Sequence, residues 1–171
     1  MITISGSNTT SPQTLIAFYH LGGLVFEESD GIGKIVIDQA DGFSSRWTGT
    51  VSDIVGSTSY DDGLDNTNAI VVNASCSNDP GNCAAQRCRD IGPDWYLPAR
   101  SELTAIHSAL CSNEEFPCNF GAFGGYYWSS TQQEGLNFYV AWVVHFPSGN
   151  DGSGFNKDFI PLAVRCIRAF A

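Results

Sequence analysis

The chain has 171 residues, 43% of them hydrophobic, 12% aromatic and 15% charged. That supplies a real core for one compact domain, and it excludes the low-hydrophobicity composition of a disordered chain. Eight Lys and Arg stand against eighteen Asp and Glu, a formal net charge of −10. This argues against nucleic acid and anionic membrane as partners, because both call for clustered basic residues.

Residues 1–14 are polar and Ser/Thr-rich and read as an N-terminal arm or edge strand. They contain no basic stretch followed by an apolar core, so no signal peptide is visible. Residues 15–26 are apolar but broken by His20, Gly22 and Gly23. They are too interrupted to span a bilayer and suit a strand pair or a bulged strand. Asp30-Gly31 is a hairpin turn signal leading into a short strand over 34–38. A polar segment over 41–68 carries Trp47 and the acidic residues Asp61, Asp62 and Asp65. The tetrapeptide Ala69-Ile70-Val71-Val72 reads equally as a strand or as the entry to a helix.

A helix is expected over 82–91, with Asn82 as its N-cap and Gly92-Pro93 as its stop. A second is expected over about 100–110, preceded by Pro98, with Leu103, Ile106 and Leu110 on one face and His107 beside it. From residue 121 onward the texture is β. Over 139–146, Val140, Trp142 and Val144 alternate with Tyr139, Ala141, Val143 and His145. Residues 148–154 read as a long turn, and 163–168 as one final strand. Trp95, Leu97, Trp128 and Trp142 are read as core. No internal repeat or linker divides the chain, so residues 1–171 are taken as a single domain.

Six cysteines permit fifteen complete pairings. There is no Cys-x-x-Cys, and His20, His107 and His145 are far apart in sequence. Structural disulfides therefore fit better than a zinc site.

Five patterns recur in a telling order: Ala84-Ala85-Gln86-Arg87-Cys88, Trp95-Tyr96-Leu97-Pro98-Ala99-Arg100-Ser101-Glu102-Leu103, Tyr127-Trp128-Ser129-Ser130-Thr131, Ala141-Trp142-Val143-Val144-His145-Phe146 and Val164-Arg165-Cys166-Ile167-Arg168. With Gly22-Gly23-Leu24-Val25-Phe26 and Asn66-Thr67, they resemble the domain found at the C-terminus of a bacterial collagen-like adhesin, over residues 20–168. The resemblance implies an α+β, C-type-lectin-like fold, with two helices packed on small twisted antiparallel sheets with long loops. That fold is related to the formylglycine-generating enzymes. Similar domains serve as the variable proteins of diversity-generating retroelements, in which adenine-directed mutagenesis rewrites codons of the C-terminal segment. The resemblance also implies a disulfide between Cys88 and Cys166. The remaining cysteines then pair most simply as Cys76–Cys83 and Cys111–Cys118.

What the resemblance implies for chemistry is mostly binding. The calcium triplets of animal sugar-binding lectins are missing from the sequence. No metal ligand is assigned and no cofactor is expected, with calcium at the oxygen cluster Asp61, Asp62, Asp65 and Asn66 as the one alternative. If all six cysteines are structural, no thiolate remains for the oxidase chemistry of the enzyme relatives, and no triad can be read from sequence. The chain is not expected to be an enzyme, and a formylglycine-generating-type oxidase is the least favoured reading.

The ligand-binding candidates are Gly135, Leu136, Asn137, Phe138, Tyr139, His145, Asn150, Asp151, Ser153, Phe155, Asn156 and Asp158. Most mix small, polar and aromatic side chains without a packing period, as antibody loops do. All twelve belong to the set reachable from an Asn codon by changing adenines alone. The expectation is a recognition module that displays variable C-terminal loops to a protein or carbohydrate ligand, outside the cell or on a cell or virion surface. The alternative is an adhesin domain of fixed specificity for carbohydrate or another surface polymer.

Overall fold

The computed structural model describes residues 19–38, 41–111 and 125–171. The expected arm over 1–14 lies outside them. Strand β1 (Tyr19–His20) turns into β2 (Gly23–Ser29), and β2 returns as β3 (Ile32–Ile37). The second turn is made by Asp30 and Gly31, both at positive φ (53° and 85°). Asp and Gly tolerate that conformation best, which is why the dipeptide is a hairpin signal. Strand β9 (Ile167–Phe170) pairs with β3 and completes a four-stranded sheet in the order β1-β2-β3-β9.

The second sheet contains β4 (Phe43–Ser45), β5 (Tyr126–Gln132), β6 (Val140–His145), β7 (Asn150–Asn156) and β8 (Leu162–Val164). Its order is β4-β8-β5-β6-β7. Its pairs are antiparallel except β5 with β8, which run parallel. The expected small antiparallel sheets are present, with that one parallel pairing in the second. The final segment is not one strand but two. It serves the second sheet as β8, breaks at Arg165 and Cys166, and joins the first as β9. The expected turn over 148–154 is shorter than its Gly/Asn content implied, since β7 begins at Asn150.

Among the described residues four helices form where two were expected: α1 (Gly63–Val72), α2 (Ala74–Ser77), α3 (Ala84–Ile91) and α4 (Arg100–Leu110). The ambiguous tetrapeptide over 69–72 is the end of α1, which starts in the polar segment where Asp62 caps the Asp65 N–H at 2.9 Å. Asn82 is not the N-cap of α3. That position falls to Cys83, while Asn82 closes a 3-10 turn and its amide donates to Asp79. Helix α4 has the expected bounds and buries the expected Leu103, Ile106 and Leu110.

The second sheet is buried on both faces, so β5 and β6 feed two cores. Trp128, Ala141 and Val143 join Trp47, Leu97 and Ile70 in the larger one. Tyr127, Val144 and Phe146 pack under α4 with Leu103 and Ile106. The two fully buried indoles are hydrogen-bonded: Trp47 Nε1 donates to Ser129 O at 2.7 Å, and Trp128 Nε1 donates to Ser45 O at 2.9 Å.

Cys88 on α3 is bonded to Cys166 at the crossing between the sheets, and Cys76 is bonded to Cys83. Cys111 is also in a disulfide, and its expected partner, Cys118, lies outside the described residues.

The two described bridges close loops of different length, with sequence separations of 78 and 7. In the chain-entropy account the longer contributes about 4.5 kcal/mol and the shorter about 2.5 kcal/mol. Removing Cys88 and Cys166 together should therefore lower the denaturant midpoint more than removing Cys76 and Cys83. Equal losses would contradict the entropic ranking. Peptide mapping without reductant checks the pairing itself.

Candidate functional site

The beginning of α4 is where the quoted patterns meet. Glu102, 5% exposed, turns back on its own helix start. Its Oε2 accepts the N–H groups of Ala99 (2.8 Å) and Gly63 (3.2 Å). Its Oε1 accepts the Tyr96 hydroxyl at 3.1 Å and faces Lys34 Nζ at 3.1 Å. This is half of a capping box, because Ala99 has no side-chain acceptor to complete it. Burial and then Glu102 push the Tyr96 hydroxyl well above its usual range. Burial alone would lower the Lys34 pKa, but Glu102 and Glu27 outweigh it and raise it. Position 63 must be glycine here: a Cβ would lie 2.4 Å from Glu102 Oε2 and 2.6 Å from the Ala99 nitrogen.

Buried hydroxyl and amide groups tie this start to β5. The Ser130 N–H donates to Pro98 O at 2.7 Å. Asn66 Nδ2 donates to Ser59 O and Ser130 Oγ, and its Oδ1 accepts the Ser59 N–H. Thr131 Oγ1 donates to Ser59 O at 2.9 Å and accepts the Arg100 N–H at 3.2 Å. Strand β5 leaves register with β6 between Trp128 and Gln132. The Ser-Ser-Thr run falls in that irregularity, where side-chain hydroxyls replace ladder partners.

Above this scaffold lies a cleft of about 270 Å³, walled by Thr58, Tyr60, Arg100, Thr131, Glu134 and Trp142. Arg100, the first residue of α4, lies flat over Trp142, with its guanidinium 3.8 Å from the ring centre and 5.1 Å from that of Tyr60. Its Nη2 donates to both the backbone oxygen and Oδ2 of Asp151, each at 3.1 Å. The Tyr60 hydroxyl reaches the same Oδ2 at 3.3 Å. Arg100 Nε is buried without a hydrogen-bond partner. Trp142 was expected in the core. It is instead half-buried, because its face carries the arginine rather than apolar neighbours. A second cleft of about 200 Å³ lies beside α1 and α3, but Arg89 there is already committed to Pro93 O and Asn68 Oδ1.

The ligand candidates divide between the two ends of the β6–β7 hairpin. Gly135, Leu136 and Asn137 form an exposed 3-10 turn, with Leu136 92% exposed. Phe138 and Tyr139 follow, ring against ring at 6.3 Å. Asn156 pairs with Val140 at this same end, and the half-buried Asp158 follows it. At the other end His145 pairs with Asn150, and its Nδ1 meets Ser148 Oγ at 2.8 Å. Asp151 joins the cleft. Ser153 pairs with Val143 along the backbone. Phe155 departs from its expected role as an exposed anchor. It is partly buried against the larger core, edge-on to Tyr126 and Trp128. Tyr60, Arg100 and Glu134 were not singled out by sequence. The available signal was Arg100, one of only eight cationic residues, placed at a helix start.

Of the acidic cluster, Asp62 caps α1 and the Asn66 amide is used by Ser59 and Ser130. Among the described residues no group of three or more His, Cys, Asp or Glu gathers to hold a metal ion.

Beneath the 135–139 turn sits Lys157, with no exposed surface. Its Nζ donates to Ser52 O at 2.9 Å and to Gln132 Oε1, and lies 4.5 Å from the centre of the Trp47 ring. Gln132 passes the link on, its Nε2 donating to Asp53 at 2.6 Å. Burial, partly opposed by Asp53, lowers the Lys157 pKa to about 7.

Two measurements test these supports. A lowered folded-state pKa means that the unfolded chain binds more protons between pH 7 and the ordinary lysine value, so stability rises with pH across that window and levels off below pH 7, where both states bind the proton. Between pH 7 and 9 the gain should be about 2 kcal/mol by denaturant titration. It should vanish in Lys157→Met, and a wild-type curve as flat as the variant's would contradict the assignment. Glu102→Ala strands the partly buried Lys34 and uncaps α4. It should cost about 3 kcal/mol or more, against less than 1 for changes at exposed Asn137.

No family model matches the chain, and no curated protein sequence matches it. Among solved structures, the chain is similar to a fimbrial protein from Bacteroides ovatus ATCC 8483, at 15% sequence identity and a TM-score of 0.52. The likeness covers 81% of this chain and 36% of that one, so the chain spans about a third of its structural neighbour. At this identity the likeness concerns the fold, a mixed α+β arrangement of curled sheets with a few helices.

Proposed function

We propose that the chain is a ligand-binding module of a surface or extracellular protein, and that it recognises its ligand with the 135–139 turn and with the outward side chains of β7 and the turn after it, over 150–158, rather than catalysing a reaction. The observation that carries this reading is the contrast between those loops and their support. Leu136 and Tyr139 are 92% and 41% exposed, while the Ser129, Ser130, Thr131 and Gln132 side chains of β5, and Lys157 within the second segment itself, are buried and hydrogen-bonded. Recognition surfaces are commonly built from exposed loops on a rigid scaffold. The disulfides favour an oxidising compartment, and a fimbrial protein as structural neighbour accords with a surface role.

The finer reading is a C-type-lectin-like domain of the collagen-like-adhesin type, with loops diversified by a retroelement. The adenine-accessible residues of those loops support it. Carbohydrate or surface-polymer binding at fixed specificity is the second reading, favoured by the aromatic and polar lining of the cleft beside Arg100.

Two experiments separate these. In the DNA flanking the coding region, a near-copy of the segment encoding residues 130–168 that differs only at adenines is expected for the diversified case; its absence selects the fixed-specificity reading. For a ligand recovered by array or pull-down, replacing the outward Leu136, Asn137, Tyr139 and Asn150 by Gly or Ser, with the partly buried Phe155 and the buried Lys157 kept, should abolish binding, and chelation should leave the unaltered protein's affinity intact. Unchanged affinity after the replacement, or loss on chelation alone, would place the site elsewhere.

A further inference from the structure

The cleft over α4 holds an arginine whose position and whose charge are set by different groups. Its position is set by the face of Trp142 and by the backbone oxygen of residue 151. Neither depends on which side chain occupies position 151. Its charge is offset by the Asp151 carboxylate, which makes the cleft's ion pair. The Asp151 side chain adds one further hydrogen bond to the same Nη2, so a change at 151 keeps the ring face and the backbone oxygen that hold the guanidinium and removes its counter-charge.

We propose that this cleft is a subsite for one neutral sugar ring, and that the residue at position 151 decides whether it accepts a neutral or an anionic sugar. The proposal rests on the ligand-binding reading above and names the ligand class for one part of that surface.

Three features fit a pyranose. The cleft, about 270 Å³, is just below the range of roughly 300–1,000 Å³ typical of drug-sized ligands, which suits a single ring. Tyr60 is 46% exposed, and its aromatic face matches the C–H face of a sugar. Thr58, Thr131 and Glu134 line the same space with hydroxyl and carboxylate oxygens. A free anion fits poorly while Asp151 is present. The guanidinium is already paired, Glu134 stands at the rim, and the protein carries a net charge of −10.

The consequence for specificity is concrete. Asp151→Asn keeps the backbone oxygen and the contact with Trp142, and it removes the carboxylate charge, leaving the guanidinium's charge to be offset by a carboxylate of the ligand. A single substitution near the start of β7 would thus change the class of ligand without rebuilding the cleft.

The test titrates the protein with the methyl pyranosides of glucose, galactose and mannose, and with methyl glucuronide as the anionic probe. Indole N–H resonances and tryptophan fluorescence report binding. Thermal melting of each variant confirms that it folds, with Asp151→Ser as a second variant should Asp151→Asn not fold. The unaltered protein should bind at least one neutral pyranoside at millimolar concentration and bind the glucuronide more weakly. Tyr60→Ala should weaken the neutral sugar by about tenfold or more. Asp151→Asn should keep neutral binding and tighten the glucuronide by about tenfold or more. The proposal is overturned if no neutral pyranoside binds, or if the glucuronide responds identically to Asp and Asn at 151. Should a recovered surface ligand depend on the 135–139 loop and ignore Tyr60→Ala, the sugar subsite fails while the ligand-binding reading stands. Should it ignore the loops as well, both fail.

Discussion

The upper half of the molecule hangs from one buried carboxylate. Glu102 receives the Ala99 and Gly63 N–H groups, the Tyr96 hydroxyl and the Lys34 ammonium. It thereby joins α4, the start of α1, the segment before α4 and strand β3 at one point. Desolvating a carboxylate is expensive unless its acceptor sites are filled, and here they are. The geometry leaves little freedom around it. Gly63 approaches too closely for any side chain, and Thr67 Oγ1 takes the Leu97 N–H at 3.0 Å beside it. Once that joint is fixed, α4 begins at one place and in one direction, and Arg100 is carried into the cleft without support of its own from the helix.

A second joint holds the two sheets together. The chain leaves β8 and enters β9 across Arg165 and Cys166. Arg165 is 1% exposed, and its Nη1 donates to Ile37 O at 2.8 Å. The Ile37 N–H donates to Cys166 O at 3.0 Å, and Cys166 is bonded to α3 through Cys88. A covalent bond and a buried cation thus occupy the two residues at which the chain changes sheet. Burial lowers the Arg165 pKa, but a guanidinium starts so high that it keeps its charge and its donors. The joint at Glu102 orders the ligand end, and this one orders the frame behind it.

Helix α4 was legible because Leu103, Ile106 and Leu110 repeat at helical spacing, and the first hairpin because Asp30-Gly31 suits a positive-φ turn. The Cys88–Cys166 pairing followed from family resemblance and not from spacing. Helix α1 was hidden because its first half, Gly63 to Asn66, reads as loop chemistry. Asn66 and Thr67 are turned inward to bond Ser59 and Leu97 rather than outward to water. Trp142 was misread because alternation reports which face a residue occupies and not what covers that face. Lys157 gave no signal at all, since a lone lysine in a polar stretch reads as solvated. The cleft draws Tyr60, Arg100, Glu134 and Trp142, with Asp151 paired to Arg100, from five separated places in the chain, and no local pattern records such a meeting.

The attachment of the candidate loops follows one rule: the scaffold holds them mainly by their main chain. The Lys157 N–H donates to Tyr139 O at 3.1 Å, and the Trp47 N–H donates to Lys157 O at 3.0 Å. The Gln133 N–H donates to Val140 O at 2.9 Å, and Arg100 holds the backbone oxygen of Asp151. The side chains that make buried polar anchors, Gln132 and Lys157, lie at the feet of the loops and face inward. Such bonds use atoms that every residue possesses, so they survive substitution at Leu136, Asn137, Tyr139 or Asn150, provided that the backbone conformation is kept. Gly135 and Gly149 are the exceptions, at φ of 66° and 69°, where other side chains are strained. A surface whose shape is held by the main chain and whose chemistry is left to outward side chains can change its ligand without changing its fold.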